Sequence, residues 1–358
     1  MKIIHCADIH ADSKMGTHFT KELANKRREE IVDAFGRMVD FALRNGVRAI
    51  IIAGDLFDTK ENQHKNLKNR LFYIISKAPQ IDFLYLRGNH DEAYYIEETY
   101  PNFKTFNKDS WTSYSYDDVE IFGHEFGDSI PSKAYSELNL DAQKVNIVVL
   151  HGQIAEYSAK DGAPDISLPK LTNQNIDYLA LGHIHNYRQE KLDSRGVWCY
   201  SGCLEGRGFD ECGKKGFVLL NIEGGKVESK FIENSQRVIH EVEVPLAGAM
   251  SYNDVLKACE AKLTGISSQD IVQVDLTGEI SEETEIETES YQNALASNFF
   301  YIRFKDKTEP KIDYEKYEKD VSLKGEFIRM VKAQKNLTEE KKSQIIMTGI
   351  KALAGRLG

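Results

Sequence analysis

Short apolar runs alternate with helical stripes along the first quarter of the chain. Lys2–Ala7, Val47–Ala53 and Phe83–Arg87 are mostly apolar, as strands buried on both faces are. Between them, Lys21–Asn45 and Asn62–Lys77 repeat apolar side chains at the helical period. The pattern predicts a β-α-β-α-β run, and its short connections predict parallel strands joined by right-handed crossovers.

The middle of the chain is richer in strand patterns, which fit two adjoining sheets covered by helices and therefore an α/β fold class. These strands are predicted at Val119–Phe122, Val145–Leu150, Tyr178–Leu181, Val197–Ser201 and Phe217–Ile222. We predict one large domain over residues 1–235.

The pattern resets around Asn234–Arg237 and a smaller module follows. Its predicted elements, in the order β-α-β-β, are Val238–Val244, Tyr252–Leu263, Asp270–Leu276 and Phe299–Phe304. We predict a small α/β domain over residues 236–310. The acidic stretch Glu279–Glu289 within it is expected to be a solvated loop or an edge strand.

Residues 311–358 contain two helical patterns, Val321–Ala333 and Thr338–Leu357. The second carries an amphipathic stripe of Ile345, Ile346, Ile350 and Leu353. Such a stripe docks either on its own domain or on a partner. Lys and Arg outnumber Asp and Glu in this tail, which indicates either a solvated helical face or a contact with DNA.

Composition and charge narrow the class of protein. Of 358 residues, 41% are hydrophobic and 28% are charged, as in soluble globular proteins. The 5 cysteines are odd in number and lack CxxC spacing, which argues against a disulfide framework or a zinc knuckle. Polar residues interrupt the start and no apolar run could span a membrane, so we expect no signal peptide, no membrane partner and a cytoplasmic location. The net charge of −10 does not by itself indicate nucleic-acid binding.

Five short polar segments stand out, and four of them directly follow an apolar strand. They are Asp8-Ile9-His10, Gly54-Asp55-Leu56-Phe57-Asp58, Gly88-Asn89-His90-Asp91, His151-Gly152 and Gly182-His183-Ile184-His185. Sites in α/β proteins assemble at the carboxyl ends of strands, so these segments can converge on one point. Gly54, Gly88 and Gly182 allow the sharp turns that aim side chains inward.

Taken singly, each segment has an ordinary explanation, such as a turn, a helix cap or a hydrogen-bonded histidine. All five explanations would have to hold together if there were no site. The pair His183 and His185 is hardest to explain in this way, because alternate residues of an extended chain point in the same direction. We therefore predict one shared site.

The predicted metal ligands are Asp8, His10, Asp55, Asn89, His151, His183 and His185. Imidazole mixed with carboxylate and amide oxygen suits divalent ions such as manganese, iron or zinc and does not exclude magnesium, and we expect Mn²⁺. Seven ligands are too many for one tetrahedral ion but suffice for two ions bridged by a carboxylate. Two ions about 3.5–4 Å apart clamp the attacking and leaving oxygens of a displacement at phosphorus. The residues therefore predict a dinuclear-metal phosphoesterase.

The order DxH, GDxxD, GNHD, H and GHxH resembles the calcineurin-like metallophosphoesterase superfamily over residues 1–225. The resemblance implies a two-sheet α/β/β/α sandwich. It implies one metal held by Asp8, His10, Asp55 and His185, and a second held by Asp55, Asn89, His151 and His183. It also implies that His90 acts on the scissile phosphate as general acid or electrostatic stabiliser, oriented by Asp91.

Within the superfamily, the chain is most similar to the SbcD-type DNA repair nuclease subunits. The similarity rests on IIHCADIHAD, IIAGDLFDT and LALGHIHN, and on Tyr200-Ser201-Gly202, Glu211 and Lys214-Lys215-Gly216-Phe217. This branch implies a metal-dependent DNA exonuclease and endonuclease whose small α/β cap helps to bind DNA. It implies that terminal helices, here in residues 311–358, dock on the coiled-coil base of an SbcC-like ABC ATPase. A homodimer is a further implication, through the helices near Lys21–Asn45 and Asn62–Lys77.

The chain departs from the family pattern at two places. Asp58 stands where some relatives carry a histidine that assists phosphate handling, so this position does not supply a second catalytic imidazole. The acidic stretch in the cap does not favour DNA. The loop Glu205–Gly216 is either a substrate loop, with Arg207, Lys214 and Lys215 near the phosphate, or a mobile hairpin turn.

Two other functions stay open on the sequence. One is a phosphodiesterase or phosphatase acting on nucleotides or other small phosphate esters, and the other is a non-catalytic scaffold. Phosphoprotein phosphatases carry Arg-Gly shortly after the second motif, whereas Thr59 and Lys60 follow Asp58 here, which argues against a phosphoprotein substrate. The presence of every predicted ligand and of His90 argues against a scaffold.

Overall fold

The computed structural model of the chain describes residues 1–15, 19–58, 65–91, 100–155, 163–248, 250–281, 284–311, 317 and 320–353. The contacts divide the chain into two compact units, Met1–Val238 and Ile239–Gly358. The predicted boundary after residue 235 lies close to this division.

The first unit contains two mixed sheets and four helices among its described residues. In chain order the elements are β1 (Lys2–Cys6), α1 (Lys21–Asn45), β2 (Ala49–Ala53), α2 (Lys65–Ser76), β3 (Asp82–Leu86), β4 (Phe103–Thr105), β5 (Thr112–Tyr116), β6 (Val119–Gly123), α3 (Ser132–Glu137), β7 (Val145–His151), β8 (Gln153–Ile154), β9 (Asp165–Ile166), α4 (Leu168–Leu171), β10 (Tyr178–Gly182), β11 (Arg188–Lys191), β12 (Val197–Tyr200), β13 (Gly216–Glu223) and β14 (Lys226–Glu233). The predicted start of the second helix, residues 62–64, lies outside the described residues.

The first sheet has the strand order β14-β13-β1-β2-β3-β4, and β1 to β4 are parallel. The second sheet has the order β11-β12-β10-β7-β6-β5, and its four central strands are parallel. Because parallel strands end at the same edge of a sheet, the carboxyl ends of β1, β2 and β3 lie together, and so do those of β7 and β10.

Apolar side chains fill three layers of the first unit. Ile51 and Val149 belong to a buried cluster between the two sheets. Phe35 of α1 packs with Phe83 on the outer face of the first sheet, and Leu171 of α4 belongs to the cluster on the outer face of the second. The architecture is an α/β/β/α sandwich, which confirms the predicted fold class.

Side-chain chemistry sets both ends of α1. Oγ1 of Thr20 accepts a hydrogen bond from the amide of Leu23 and caps the helix. Gly46 ends it with a φ of 65°, as the Asn-Gly pair indicates. Between the caps, Ile31 and Phe35 are fully buried on the face that covers the first sheet.

The second unit contains a parallel sheet with the order β15-β16-β17. Its elements are β15 (Ile239–Pro245), α5 (Tyr252–Leu263), β16 (Ile271–Ser281), α6 (Thr288–Leu295), β17 (Tyr301–Lys311), α7 (Leu323–Lys332) and α8 (Glu339–Leu353). The predicted order β-α-β-β is therefore wrong, because α6 crosses between the parallel strands β16 and β17. The predicted boundary after residue 310 falls inside β17.

The acidic stretch Glu279–Glu289 includes the end of one strand, the irregular residues 284–287 and the start of a helix, which corrects its prediction as one loop or an edge strand. Its first residues belong to β16, the central strand, where Ile280 pairs with Pro310. Its last residues begin α6 at Thr288. Residues 282 and 283 lie outside the described residues.

The two tail helices pack on each other around a small apolar cluster. Ile328 and Val331 of α7 meet Ile346 and Ile350 of α8 there. The predicted stripe is thus half covered, because its other members are exposed, Ile345 by 39% and Leu353 by 45%. Residues 354–357, the end of the predicted helix, lie outside the described residues. Within the described part of the chain, no helix has the length and apolar character needed to cross a membrane.

Candidate metal centre

The five polar segments meet at one end of the sandwich. Asp8, Asp55 and Asn89 follow β1, β2 and β3, which are neighbours in the first sheet. His151 ends β7 and His183 follows β10, which are neighbours in the second sheet. The amide of His183 donates to Oδ1 of Asp8 at 2.8 Å, so the ends of the two sheets are in direct contact. The fold therefore brings the predicted residues together.

Unusual backbone conformations concentrate at this end of the sandwich. The φ angles of Asp8, His10, Asp55 and His183 are 51°, 45°, 52° and 101°. Non-glycine residues rarely adopt such angles, each of which costs on the order of 1–3 kcal/mol. Strain at four neighbouring positions marks a site whose surroundings hold these side chains in place.

Two glycines leave room that the candidate ligands occupy. A Cβ on Gly54 would lie 1.9 Å from Nδ1 of His151, and a Cβ on Gly88 would lie 2.1 Å from Oδ1 of Asp55. Gly54 also has a φ of +97°, in the left-handed region that favours glycine. The absence of a side chain at these glycines lets the backbone approach the candidate ligands closely, in addition to allowing the predicted sharp turn.

Asp8, His10 and His185 form one compact group, with potential ligand atoms within 4.8 Å of one another. Nε2 of His10 lies 3.3 Å from Nε2 of His185. The opposite ring nitrogens face carboxylates, since Nδ1 of His10 is 3.3 Å from Asp58 and Nδ1 of His185 is 2.7 Å from Glu211. A neutral ring that donates from Nδ1 keeps a lone pair on Nε2. Two lone pairs then face each other, an arrangement that a shared cation stabilises.

Asp8, Asp55 and His151 form a second group on the same scale. Nδ1 of His151 donates to the carbonyl of Ala53 at 2.9 Å, which leaves the lone pair of the neutral ring on Nε2. That nitrogen faces two oxygens, Oδ1 of Asn89 at 2.9 Å and Oδ2 of Asp55 at 3.5 Å. A lone pair surrounded by oxygen atoms again fits a bound cation.

Asp55 belongs to the second group and also faces a histidine of the first. Its Oδ2 is 3.7 Å from Nε2 of His10 and 3.5 Å from Nε2 of His151. The His183 ring is half-buried, with its centroid 5.5 Å from that of His151. Nitrogen and oxygen donors without cysteine suit divalent ions. The residues present therefore fit two cations near a shared aspartate.

Burial shapes the charge state of these groups. It raises the pKa of Asp8 to about 6, against the opposing effect of nearby imidazoles. Burial would also raise the pKa of Asp55, but His151 and His10 lower it below its ordinary value. The pKa of His10 falls to about 4, chiefly because the ring is buried. A bound cation favours the deprotonated form of each of these side chains.

His90 lies on the solvent side of the site, with its side chain 44% exposed. Its Nδ1 is 3.1 Å from Oδ1 of Asp58, and this contact raises the pKa of the ring. The predicted role of Asp91 in orienting His90 would act through the backbone, because the carboxylate of Asp91 accepts backbone amides, including those of Phe57 and Gly88. Asp91 fixes the turn that carries the imidazole, and Asp58 contacts the imidazole itself.

Arg207 borders the site. Its Nε and Nη2 donate to Oε1 of Glu211 at 2.9 and 2.7 Å, and its Nη1 lies 3.9 Å from Asp58. The loop that carries it is held by side chains that also contact candidate ligands. These contacts favour a wall of the site over the alternative of a mobile hairpin turn.

The two predicted substrate lysines differ in their surroundings. Lys215 is buried, and its ammonium donates to the carbonyl of His185 at 3.0 Å. It makes an anchoring contact within the site wall, and its predicted contact with substrate stays a prediction. Lys214 is 70% exposed and pairs with Glu233 at 2.8 Å.

Sequence reasoning gave no ligand-holding role to Asp58 or Glu211. Asp58 closes the GDxxD motif, so its position offered a signal, although the motif does not show which group it contacts. Glu211 lies 26 residues from His185 and belongs to no periodic pattern. The contact of Glu211 with a ligand became visible only through the fold.

The calcineurin-like phosphoesterase family model matches residues 1–187. The chain belongs to this family. Members are phosphoester hydrolases, and the family together with the clusters described above indicates divalent metal binding. The predicted recognition of the family is confirmed.

Curated relatives cover much of the chain at low identity. It is 25% identical over 250 residues to the uncharacterized metallophosphoesterase YhaO of Bacillus subtilis, covering 64% of this chain and 60% of that protein. It is 26% identical over 245 residues to the DNA double-strand break repair protein Mre11 of Sulfolobus acidocaldarius, covering 63% and 61%. It is 26% identical over 313 residues to the SbcD nuclease subunit of Escherichia coli, covering 74% and 72%. The chain spans about three fifths of the length of the first two relatives.

The close approach of Gly88 to Asp55 gives a first prediction. Gly88→Ala should displace the Asp55 carboxylate and strongly reduce the amount of Mn²⁺ bound, because the added Cβ would lie 2.1 Å from Oδ1. It should also lower the free energy of unfolding by about 1–3 kcal/mol. Bound metal is measured by elemental analysis after dialysis, and stability by urea denaturation.

Gly127→Ala is the matched control, because a Cβ there meets nothing within 4 Å. It should bind as much metal as the parent protein. Equal metal content in the folded Gly88→Ala protein would contradict the placement of Asp55 in the centre.

Proposed function

We propose that this chain is a dinuclear-metal phosphodiesterase that cleaves DNA as an exonuclease and endonuclease. The observation that carries the proposal is the meeting of two groups of metal-binding side chains around Asp55. DNA as the substrate is supported by two relatives, one named as a double-strand break repair protein and one as a nuclease subunit.

In this proposal each ion has its own ligand set and Asp55 belongs to both. One set is Asp8, His10, Asp55 and His185, and the other is Asp55, Asn89, His151 and His183. Support comes from the position of Asp55 Oδ2, which faces one imidazole of each set. We propose Mn²⁺ as the ion. When bound, the two ions supply an activated water nucleophile and stabilise charge on the phosphate.

His90 is proposed to donate a proton to the leaving oxygen. Its Nδ1 is held by Asp58 at 3.1 Å, so Nε2 is the ring nitrogen directed to the substrate. Its backbone amide donates to Oδ1 of Asp55 at 3.1 Å, which fixes the distance between the acid and the proposed bridging carboxylate. Asp58 thus positions an imidazole on each side, His10 as a ligand and His90 as the acid.

We further propose an SbcC-like ABC ATPase as a partner at α7 and α8. These helices carry apolar side chains that remain exposed after the two helices have packed on each other, with Leu323 exposed by 72% and Met330 by 59%. Such side chains fit a surface that a partner covers. A homodimer through α1 and α2, and a cytoplasmic location, stay predictions.

Hydrolysis of linear duplex DNA with Mn²⁺ tests the substrate. We expect release of nucleotides from DNA and hydrolysis of a simple aryl phosphodiester by the same preparation, with both lost in a chelator. The measurement is product formation on sequencing gels and by absorbance.

Two outcomes would replace the proposal. Turnover of mononucleotides and aryl esters without any cleavage of DNA would favour a phosphatase or phosphodiesterase of small esters. Absence of all turnover in protein that holds two ions per chain would favour a scaffold.

The position of His90 predicts a separation of metal binding from turnover. His90→Ala should keep both ions and lose about 10²- to 10⁴-fold in kcat on an aryl phosphodiester, because a general acid contributes that much. Metal content and kcat are measured on the same sample.

His240→Ala is the matched control for His90, since His240 is an imidazole paired with a carboxylate, Asp270, at 2.9 Å in the second unit. It should leave kcat on the aryl ester unchanged. Loss of the ions from His90→Ala would reassign His90 as a ligand.

The exposed apolar residues of α7 and α8 predict a partner-binding tail. Removing residues from Tyr314 onward should abolish binding of the ATPase partner, because both helices are lost. Hydrolysis of the aryl ester should persist, and binding is measured by co-purification of the two proteins. Binding that persists after truncation would reject this interpretation of the tail.

A further inference from the structure

The loop of residues 203–216, here named the Glu205 loop, carries two buried acidic side chains that face different parts of the first unit. Glu205 and Glu211 are both 2% exposed. Buried carboxylates of this kind are retained only where partners compensate their charge. The partners of the two residues connect the candidate centre with the end of the first unit.

One end of this connection is the candidate ligand His185. Oε1 of Glu211 contacts Nδ1 of the imidazole at 2.7 Å and so orients Nε2 toward the centre. Glu211 is in turn held by Arg207, whose backbone amide donates to Oε2 at 2.7 Å. Arg207 stands two positions after Glu205, so the orientation of the ligand depends on where the Glu205 loop is fixed.

The other end of the connection is the segment of residues 234–237, which directly precedes the second unit. Oε2 of Glu205 accepts the amide of Gln236 at 2.6 Å, and Oε1 accepts that of Arg237 at 3.3 Å. Nη2 of Arg27, on α1, donates to Oε1 of Glu205 at 2.9 Å and to the carbonyl of Gly206 at 2.6 Å. Glu205 therefore binds the segment and the helix α1 together.

Further charged groups close this network around the segment. Glu30 of α1 pairs with Arg27 and, at 2.7 Å, with Arg237. Arg37 of α1 donates to the carbonyl of Asn234 at 3.0 Å and lies 3.6 Å from Oε2 of Glu205. The segment is thus held by ionic side chains along its length.

A second contact runs from the same segment to the same ligand. The carbonyl of Lys215, at the far end of the Glu205 loop, accepts the amide of Asn234 at 3.0 Å. The ammonium of Lys215 donates to the carbonyl of His185 at 3.0 Å. Both ends of the loop therefore join residues 234–237 to the imidazole-bearing turn.

We propose that Glu205 is a positioning residue for the metal ligand His185, and that it couples the segment leading into the second unit to the candidate centre. The inference rests on the proposed assignment of His185 as a ligand. A displacement of residues 234–237 moves Glu205, and with it Arg207 and Glu211, which changes the angle at which Nε2 is presented. An apolar residue at position 205 would fix neither the segment nor the loop, and it would leave the buried guanidinium of Arg27 without this partner.

Calorimetric titration of the metal-free full chain with Mn²⁺ tests the proposal without any activity measurement. Glu211→Gln should weaken binding by about 10- to 100-fold, since it replaces the carboxylate that contacts the ligand with a neutral amide. Glu205→Gln should weaken binding by about 2- to 30-fold, as expected for a residue that acts through others. The double variant should weaken it by less than the product of the two single effects, because both act on one path.

Asp177→Asn is the control for loss of an ion pair that lies outside this network and is partly exposed. Asp177 pairs with Arg195 at 2.8 Å immediately before β10, the strand that leads to His185 at its other end. This variant should lose stability and keep its Mn²⁺ affinity. A folded Glu205→Gln protein with unchanged affinity, or a double variant whose effects simply multiply, would overturn the proposal.

Because Glu205 is buried among charges, its replacement also lowers stability, and lower stability could itself weaken metal binding. A milder pair of variants separates the two effects. Arg37 is 38% exposed and touches the network only from the solvent side. Arg37→Met should weaken Mn²⁺ binding by at least about twofold. Arg44→Met, at an exposed position of the same helix, should not change it. Equal affinities in these two variants would count against the coupling.

The outcomes also separate this inference from the proposed function. If the parent chain takes up no Mn²⁺, the assignment of the metal centre is wrong, and the proposed coupling to it is wrong as well. If the parent binds two ions and cleaves DNA while the Glu205 and Arg37 variants bind Mn²⁺ as the parent does, the coupling alone fails.

Discussion

The hydrogen bond from the amide of His183 to the carboxylate of Asp8 joins the two sheets where their parallel strands end. Asp8 is fully buried, so its charge depends on the amide and the imidazoles that meet at this junction. If a strand at this junction shifted its register by one residue, the amide of His183 would no longer face Asp8. The side chains of that strand would also turn to the opposite face of its sheet. The candidate centre therefore depends on the register of the strands in the two sheets. Side chains from the surrounding loops, such as Glu211, make further contacts with the candidate ligands.

The backbone around the candidate centre is strained, and the packing of the rest of the first unit offsets this strain. Several candidate ligands stand in left-handed backbone conformations, and Gly54 and Gly88 admit no side chain. The strands behind them, β2 and β7, are buried along their whole length. A packed interior cannot relax locally, so it holds the strained residues in the geometry of the candidate centre.

Orientation of the imidazoles comes from carboxylates outside the five motif segments as well as within them. Asp58 contacts the imidazoles of His10 and His90, whereas Glu211, on the Glu205 loop, contacts the imidazole of His185. Partners of this kind set which ring nitrogen is free to bind a metal and how basic it is. They also give the centre a physical connection to the charged network of α1 and to the segment that precedes the second unit.

The sequence by itself determined the family, the central strands and the residues that follow them, because a buried strand and its polar end leave a local pattern of hydrophobicity. It missed β11 and β14, whose side chains are largely exposed or half-buried, and α6, which begins in an acidic stretch. The tertiary structure alone decided which carboxylate contacts which imidazole, and it showed that Lys215 is buried against the backbone of His185. Those contacts join residues far apart in the chain, so their distances are set by sheet packing and leave no periodic signal in the sequence.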